Sequence, residues 1–414
     1  MVYTFSMRRL YHISKGKFIG VLGIIGLTAI ILLVIIINKS NIYIETYSNF
    51  ANAIFGITDT SKTTDITSTQ KLDLQKPKNI KILILGDMMF DRGVRSKINT
   101  SGFAEIFGPA TTTFAEYDLV VANLEGPIST YKSKTILDNN KSISGFQFTF
   151  ATGTAKALKD AGIDMVSLAN NHTDNFGQSG LQQTRQLLNE AGVQHFGSPQ
   201  NNFEISTSTC LVAQNSGTQD GVASAEDICV GFIGWHEFGT KNHQKILDEI
   251  VRLRPFVDYL VVFPHWGEEY KKTPHIEQVR LARVWTDAGA DAVIGAHPHV
   301  IQQITRRTTA DGRTVPIIYS LGNFIFDQYF SFDTTHGIAV EIEFPQIQQT
   351  QKVSGSEAST TLPRYEIAQS AQYKIIPFSS VGSKVSIPNA SSTARIFGDI
   401  EKVSGTTTWG WLKR

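Results

Sequence analysis

Apolar runs and amphipathic stretches alternate along most of the chain. Runs typical of buried strands lie at residues 80–86, 118–123, 164–169, 193–196, 258–263 and 291–296. Helical periodicity occupies residues 103–117, 152–161, 178–191, 242–256 and 274–288, and the helix at 178–191 is expected to end at Gly192. Strands interleaved with helices predict an α/β fold with covered sheets.

The C-terminal part contains further strand patterns, at residues 317–323, 337–344 and 373–377. A polar insert separates the last two, and the Ser/Thr-rich sequence beyond Ser379 predicts an ordered edge that frays into a tail. We therefore expect a main domain at residues 79–345 and a C-terminal extension of strands and tail at 346–414.

Residues 18–37 form a run of twenty residues without a charged side chain. About 20 apolar residues in a helix cross the hydrocarbon core of a bilayer, so the run predicts a transmembrane anchor. A cleaved signal peptide would have a shorter apolar region and a small-residue cleavage site, which the following NKSNIYIE lacks. A buried core helix would rarely follow so basic a segment. The anchor separates residues 1–17 from a Ser/Thr-rich stalk at 38–78.

Basic residues are more frequent before the predicted anchor than after it. Arg8, Arg9, Lys15 and Lys17 precede it, and only Lys39 follows closely. The positive-inside bias therefore predicts a cytoplasmic N-terminus and an extracytoplasmic body at the cell membrane. With 38 Lys+Arg and 37 Asp+Glu residues, the overall charge gives no reason to expect binding to nucleic acid.

The two cysteines, Cys210 and Cys229, lie one on each of two strand patterns, at residues 204–212 and 228–234, joined by a polar loop. An oxidising compartment favours a disulfide across this hairpin, and we predict that the two are bridged. Spacing alone does not determine pairing, and two small buried hydrophobic residues are the alternative. Two thiols are too few for a cysteine-based metal site.

Five apolar runs end abruptly in residues that bind metals. These endings are ILILGD at Asp87, LVVANLE at Glu125, MVSLANNH at Asn171 and His172, LVVFPH at His265, and DAVIGAHPH at His297 and His299. Because Pro298 cannot lie inside a helix, the histidines beside it are expected to be extended and to project to one side. A lone histidine is more often structural than a ligand, but five such endings indicate neighbouring strand ends around one metal site.

The endings offer one or two carboxylates, an amide oxygen and three imidazoles. About six ligands of this hardness suit manganese, iron or zinc better than calcium. One zinc ion needs fewer, whereas two divalent ions that share a carboxylate, from Asp87 or Glu125, would use the full set. His172 need not bind metal and could instead donate a proton to a leaving group, because histidine titrates near neutral pH.

The same segments resemble the capsule-synthesis CapA family over residues 82–344. The matching segments are GDMMFDR (86–92), NLEGPI (123–128), LANNH with the following FG (168–177), HWGEEY (265–270), GAHPHVIQ (295–302) and YSLGNFIFDQ (319–328). The resemblance implies a calcineurin-like metallophosphatase fold, a sandwich of mixed β-sheets flanked by helices. It also implies that His172 assists the leaving group and that the metal ligands are Asp87, Glu125, Asn171, His265, His297 and His299.

Two positions depart from the family pattern. Ordinary metallophosphatases have a histidine where this chain has Met89, which implies a poorer ligand set for one metal. Many relatives have aspartate where this chain has Asn175, so either Asn175 or Asp174 could be the partner of His172.

Other residues of these motifs allow two interpretations each. Arg92 and Asn323 are candidates to contact an anionic substrate, or else to hold their loops in place. Glu269 is a similar case. Trp266 and Tyr270 are expected to pack rather than to recognise substrate.

The resemblance implies a role in making or attaching poly-γ-glutamate or a related surface polymer. One hypothesis is a metal-dependent hydrolase or transferase that acts on an amide or phosphoester bond of that polymer. The other is a non-enzymatic scaffold or polymer-handling subunit of a membrane synthase, with a structural metal and other membrane subunits as partners. The retained ligands and His172 favour chemistry; Met89 keeps the scaffold hypothesis open and disfavours a generic phosphodiesterase.

The predicted topology has a direct test. Protease added to cells stripped of any outer barrier should remove the body and spare the N-terminus, because the four basic residues before the anchor hold that end inside. Recovery of a protected full-length chain would reverse the orientation.

Overall fold

The computed structural model describes residues 79–137, 143–144, 146–202, 204–211, 227–345, 364–405 and 412–413. The predicted segment 1–17, anchor 18–37 and stalk 38–78 lie outside these residues, as does the polar insert at 346–359. Within the described ranges, no helix is both long and apolar enough to cross a membrane.

The elements follow the alternation that the sequence predicts. The strands are β1 (Ile80–Met88), β2 (Leu119–Leu124), β3 (Ile136–Leu137), β4 (Ile143–Ser144), β5 (Met165–Ser167), β6 (Gln194–Phe196), β7 (Ser206–Leu211), β8 (Ile228–His236), β9 (Tyr259–His265), β10 (Ala292–Ile294), β11 (Ile304–Thr308), β12 (Thr314–Ile318), β13 (Asn323–Ile325), β14 (His336–Phe344), β15 (Gln372–Ser379) and β16 (Leu412–Lys413). The helices are α1 (Arg92–Ser101), α2 (Phe103–Phe107), α3 (Ala110–Phe114), α4 (Thr154–Asp160), α5 (Gly177–Ala191), α6 (His243–Leu253), α7 (Ile276–Asp287), α8 (Phe332–Thr335), α9 (Arg364–Ser370) and α10 (Ala390–Ser404).

The strands form two large mixed sheets and one small hairpin. The first sheet has the order β16-β15-β14-β1-β2-β5-β6, with β13 also paired to β1. Its neighbouring strands β1, β2, β5 and β6 are parallel to one another, whereas β14 is antiparallel to β1 and β15. The second sheet has the order β11-β12-β10-β9-β8-β7, and its four central strands are parallel. The hairpin pairs β3 with β4.

Alternation along the strands divides the core into three layers. Ile82 and Ile84 of β1 face the second sheet, where they join Val261 of β9 and its neighbours in one cluster. Leu83 and Leu85 of the same strand face the opposite way and pack with helices α1 to α5. A third cluster packs α6 and α7 on the outer face of the second sheet. The structure is therefore an α/β sandwich of two mixed sheets flanked by helices, as expected.

Three segments differ from expectation. Residues 317–323, expected to form one strand, instead form the end of β12 and the start of β13. Residues 103–117 form two short helices instead of one, because Gly108 has a left-handed φ of 54° and Pro109 follows it. Residues 390–404, expected to lie in a fraying tail, form the helix α10. Asn389 caps α10 by accepting a hydrogen bond from the Ser392 backbone, and Ile396 and Ile400 are buried in the core between the sheets.

The structure joins Cys210 to Cys229, which confirms the predicted disulfide. The two residues are direct partners in the antiparallel pairing of β7 with β8, and their Cα atoms are 3.9 Å apart. The bridge joins β7, at the edge of the second sheet as described, to the adjacent strand β8.

Removal of this bridge should weaken the fold. The bond closes a chain segment of 19 residues in sequence separation, and in the chain-entropy account such a loop contributes about 3 kcal/mol. We expect a Cys210→Ser/Cys229→Ser variant to lose up to that amount of unfolding free energy in denaturant titration. A reducing agent should lower the stability of the natural chain similarly and leave the variant unchanged. Two freely alkylatable thiols in native, unreduced protein would contradict the assignment.

Candidate metal centre

The polar strand endings meet at one end of the sandwich. Asp87 is the second-last residue of β1, Glu125 directly follows β2, and Asn171 and His172 follow β5 in the first sheet. In the second sheet His265 ends β9, and His297 and His299 lie just beyond β10. Because these strands are parallel within each sheet, their carboxyl ends share an edge. The structure therefore brings together all seven residues.

Glu125 is the centre of this group. Its side chain is fully buried, and within the described part of the chain neither of its oxygens has a hydrogen-bond partner. Its Oε1 atom lies 3.7 Å from Nε2 of His299, and 3.9 Å from Nε2 of both His265 and His172. Burial, reinforced by the nearby charge of Asp87, raises the pKa of the Glu125 carboxyl well above its ordinary value.

Asp87 is also fully buried, but it has partners. Asn123 Nδ2 donates to its Oδ1 atom at 2.7 Å, and the backbone N–H of His297 donates to its Oδ2 atom at 3.1 Å. Burial raises the pKa of Asp87 to about 7, although these two hydrogen bonds oppose the rise. Oδ2 lies 3.6 Å from Nδ1 of His299.

Three ligand candidates surround one side of Glu125. His265 Nε2 lies 2.8 Å from the Asn171 side-chain oxygen and 3.1 Å from His297 Nδ1. Burial and the neighbouring histidines lower the pKa of both His265 and His297 well below the ordinary value. Neutral imidazoles with free lone pairs are the form that binds metal ions.

His299 is oriented by Asn323. Asn323 Nδ2 donates to the backbone carbonyl of Thr334 at 2.9 Å, which fixes the amide so that Oδ1 faces His299 Nδ1, 2.9 Å away. Nδ1 must then carry the ring proton, and the lone pair of Nε2 is directed to Glu125. Burial lowers the pKa of His299 to about 3. Asn323, a candidate substrate contact from its motif, is buried and positions this histidine.

The backbone around Pro298 differs from the extended conformation expected. His297 and His299 have φ values of 97° and 57°, in the left-handed region that side chains rarely adopt. The hydrogen bond from His297 N to Asp87 and a second one from Tyr270 N to the Pro298 carbonyl, 2.8 Å long, hold this turn. The imidazoles still approach each other, with ring centroids 5.8 Å apart. Such strain is typical of functional sites.

His172 lies at the rim of the group. Its ring packs on Phe148 at a centroid distance of 4.3 Å, and its Nδ1 atom lies 3.2 Å from Asn175 Nδ2. Asp174, the other candidate partner, instead accepts a hydrogen bond from Gln200. Burial lowers the pKa of His172 to about 4, although the hydrogen bond with Asn175 opposes the decrease.

Arg92 reaches the site from the start of α1. Its guanidinium group lies between the rings of Phe148 and Phe326, at 4.9 and 5.5 Å from their centroids, and forms a buried ion pair with Asp327. Its positive charge opposes the rise in the pKa of Glu125.

Two asparagines with structural roles in the site were missed from sequence. Asn123 bridges the two sheets: its Nδ2 atom donates to Asp87 and lies 3.2 Å from Nδ1 of His265. Asn170 donates to the Asn123 side chain at 3.1 Å and accepts from the backbone of His172. Both lie in quoted motifs, NLEGPI and LANNH, so the motif position was the available signal.

The two aromatic residues of the HWGEEY segment behave differently. Trp266 is fully buried and stacks on Trp285, which agrees with a packing role. Tyr270 is 43% exposed, and its ring centroid lies 6.1 Å from that of His299. Phe238, 51% exposed, lies 4.5 Å from the His297 ring, so exposed aromatic rings border the metal-ligand candidates on two sides.

The donor atoms fit divalent cations. Three overlapping groups have ligand atoms that all lie within 4.8 Å of one another: Glu125 with His265 and His297, Asp87 with Glu125 and His299, and Glu269 with His297 and His299. A buried carboxylate without a partner is unfavourable unless a cation or proton compensates it. Glu125 is such a carboxylate, and neutral imidazoles surround it.

Known proteins match the same part of the chain. The family model described as bacterial capsule synthesis protein PGA_cap matches residues 81–328. The capsule biosynthesis protein CapA of Bacillus anthracis is 31% identical over 260 residues, which are 61% of this chain and 61% of that protein. The PGA biosynthesis protein CapA of Bacillus subtilis strain 168 is 28% identical over 271 residues, 63% of this chain and 67% of that protein.

One similar solved structure is a candidate 5'-nucleotidase from Staphylococcus aureus, with a TM-score of 0.37 and 14% identity, covering 65% of this chain and 51% of that one. The match with the Bacillus anthracis relative spans less than two thirds of that protein's length. The family match extends over more than half of the chain and includes every one of the ligand candidates. The chain therefore belongs to the bacterial capsule synthesis protein family, as its motifs implied.

Proposed function

We propose that this chain is a membrane-anchored enzyme of cell-surface polymer biosynthesis, a metal-dependent hydrolase or transferase. Its substrate would be poly-γ-glutamate or a related envelope polymer, and it would act on an amide or phosphoester bond of that polymer. The relatives' names, capsule biosynthesis and PGA biosynthesis proteins, support the polymer class. The observation that carries the chemistry is Glu125, a buried carboxylate without a partner among the described residues, inside a ring of neutral histidines.

The ligand groups suit two divalent ions, manganese, iron or zinc. Glu125 belongs to two of the groups, so it would be the shared ligand, with His265 and His297 on one side and Asp87 and His299 on the other. Asn171 adds an amide oxygen beside His265. Bound divalent ions would polarise the scissile group and lower the pKa of a coordinated water.

His172 is placed to move a proton at the edge of this set. Its Nε2 atom faces Glu125 at 3.9 Å, and Asn175 and Phe148 hold its ring. With its pKa at about 4, the ring is neutral at pH 7. An anionic substrate beside it would favour the imidazolium form and raise that pKa, which would make His172 a better donor to a leaving group. The charge of Arg92 would help to attract such a substrate.

An open cleft of about 430 Å³ provides access on one side. Glu237, Phe238, Lys241, Gly267, Glu268 and His275 line it. Phe238 also contacts the His297 ring, so the cleft leads to the ligand set. Mixed charges and an exposed ring are compatible with a chain-like polymer that carries both polar and apolar groups.

A scaffold with a structural metal is the second candidate. Met89 favours it: this side chain is fully buried in the core between the first sheet and its helices, so it cannot replace the histidine of ordinary metallophosphatases. In either case we propose that residues after the anchor face outward, and that other membrane subunits of a polymer synthase are partners.

The two functions differ in what happens when His172 is removed. We expect His172→Ala to keep its metal and lower polymer production about 10²- to 10⁴-fold, because a proton donor contributes to rate without binding an ion. His297→Ala should lose most bound metal and stay folded. The metal content of the purified full chain measures ion binding, and circular dichroism measures folding. The amount of surface polymer on cells that carry only the variant measures polymer production.

A matched control is His243→Ala, which removes a histidine of α6 that packs against Trp235 outside the ligand set. This variant should leave the metal content and the polymer production unchanged. Normal polymer with His172→Ala, together with loss of folding in His297→Ala, would support the scaffold and contradict the enzyme.

Metal affinity should rise with pH in the range below about 7. Because burial raises the pKa of Asp87 to about 7 and that of Glu125 as well, an ion that binds below about pH 7 must displace carboxyl protons. The histidines are already neutral in this range and contribute no such protons. Each displaced proton weakens apparent affinity about tenfold per pH unit of acidification.

Calorimetric titration of the full chain with Mn²⁺, in buffers of different ionisation enthalpy, counts the released protons. We expect proton release at pH 6 and less release at pH 8, and one proton fewer for Asp87→Asn at pH 6. Affinity that is flat from pH 5.5 to 7.5 would show that the carboxyls are already ionised.

A further inference from the structure

The two sides of Glu125 are unequally supplied with ligands. On one side His265, His297 and Asn171 join it, which gives four protein donors. On the other side the described residues supply Asp87 and His299, which gives three. Met89 does not add a fourth, since its side chain packs in the core and its sulfur accepts a hydrogen bond from the Asp91 backbone at 3.0 Å.

Glu269 lies beside His299 of this second group and His297 of the first. It is four residues beyond His265, in the loop that follows β9, and its side chain is exposed. One carboxylate oxygen is within 4.8 Å of ligand atoms of both His297 and His299. Its charge is also close enough to raise the pKa of the buried Glu125. Glu268, the preceding residue, instead lines the cleft beside Phe238.

A chain of hydrogen bonds connects Glu269 to His299. Tyr270 is hydrogen-bonded to the Glu269 carboxylate, and its hydroxyl accepts from Gln328 Nε2 at 3.0 Å. Gln328 Oε1 accepts from Asn323 Nδ2 at 3.0 Å, and Asn323 orients His299. Partners of this kind fix the ligands of metal sites in direction and tautomer.

Tyr270 is held in an unfavourable conformation at the centre of this chain. Its φ of 63° is left-handed, and its backbone N–H donates to the Pro298 carbonyl between the two histidines. The strain is maintained by contacts to the site itself, which ties the Glu269 loop to the His297–His299 turn.

We propose that Glu269 is the fourth ligand of the second ion and compensates for the histidine that Met89 replaces. The inference rests on the proposed two-ion site. The assignment of Glu269 also predicts that the two ion positions differ in which metal they prefer. Three carboxylates and one imidazole form a harder set than two imidazoles, an amide and one carboxylate, so the second position should prefer Mn²⁺ over Zn²⁺.

Binding of Mn²⁺ to the purified full chain tests this assignment. The natural chain should bind two ions per chain. Glu269→Gln should bind the first ion as before and the second at least about 100-fold more weakly, because loss of a ligand exceeds the 10- to 100-fold effect of losing a ligand's partner. The natural chain with two Mn²⁺ ions should give the electron paramagnetic resonance signal of a coupled manganese pair, and Glu269→Gln should lack this signal. Glu268→Gln, the adjacent exposed glutamate, is the matched control and should bind two ions.

Two further variants test the role of the residue beyond its charge. Glu269→His should restore the second ion and shift its preference toward Zn²⁺. Tyr270→Phe should weaken the second Mn²⁺ about 10- to 100-fold without affecting the first. Circular dichroism checks the folding of each variant. If Glu269→Gln fails to fold, the affinity of Tyr270→Phe for the second Mn²⁺ decides whether Glu269 binds that ion.

The outcomes separate this inference from the function on which it rests. Two ions in the natural chain and unchanged affinity in Glu269→Gln would overturn the role of Glu269 and leave the two-ion site intact. One ion or none in the natural chain would overturn both. Loss of the second ion in Glu268→Gln to the same degree would show a general effect of surface charge and would also overturn the assignment.

Discussion

The burial of Glu125 is the constraint on which the site depends. Removing a carboxylate from water costs roughly several kcal/mol unless a cation or a proton compensates it. Glu125 has no such partner among the described side chains, and burial together with Asp87 raises its pKa. The surrounding histidines are driven in the opposite direction, toward the neutral form that binds metal. The same burial therefore leaves a carboxylate that a bound cation would stabilise and keeps the neighbouring histidines in the neutral form that would bind that cation.

The architecture maintains this arrangement by placing it between two sheets. Asp87 and Glu125 lie at the carboxyl end of the first sheet, and His265 and His297 at that of the second. Asn123 contacts residues of both, so a relative shift of the sheets would break its hydrogen bonds. The disulfide between β7 and β8 stabilises the second sheet at its edge, and the packing of α10 stabilises the core between the sheets.

Much of the fold could be predicted from the sequence because central parallel strands are buried on both faces. The strands β2 and β9 are buried at every position and therefore stand out as continuous apolar runs. The helix α10 could not be found in this way, since its buried Ile396 and Ile400 are few among Ser and Thr residues. Its contacts with the core exist only after the sheets have assembled.

The sequence predicts which residues of the candidate site converge, but not the hydrogen bonds and backbone conformations that hold them. Strand endings identify residues that converge, because topology alone brings them together. The left-handed turn at His297 and His299 depends on two hydrogen bonds between residues that are distant in sequence. The backbone N–H of His297 donates to Asp87, 210 positions away, and the backbone N–H of Tyr270 donates to the Pro298 carbonyl, 28 positions away. The orienting role of Asn323 likewise depends on Thr334 and Gln328, which no local pattern reveals.

The central claim is that Glu125 joins two divalent ions at the end of the sandwich. Anomalous diffraction from crystals of the manganese-loaded full chain tests it most directly. Two anomalous peaks are predicted, both bound to the Glu125 carboxylate, one of them also to His265 and His297 and the other to Asp87 and His299. A single peak, or a Glu125 side chain that binds no ion, would contradict the claim.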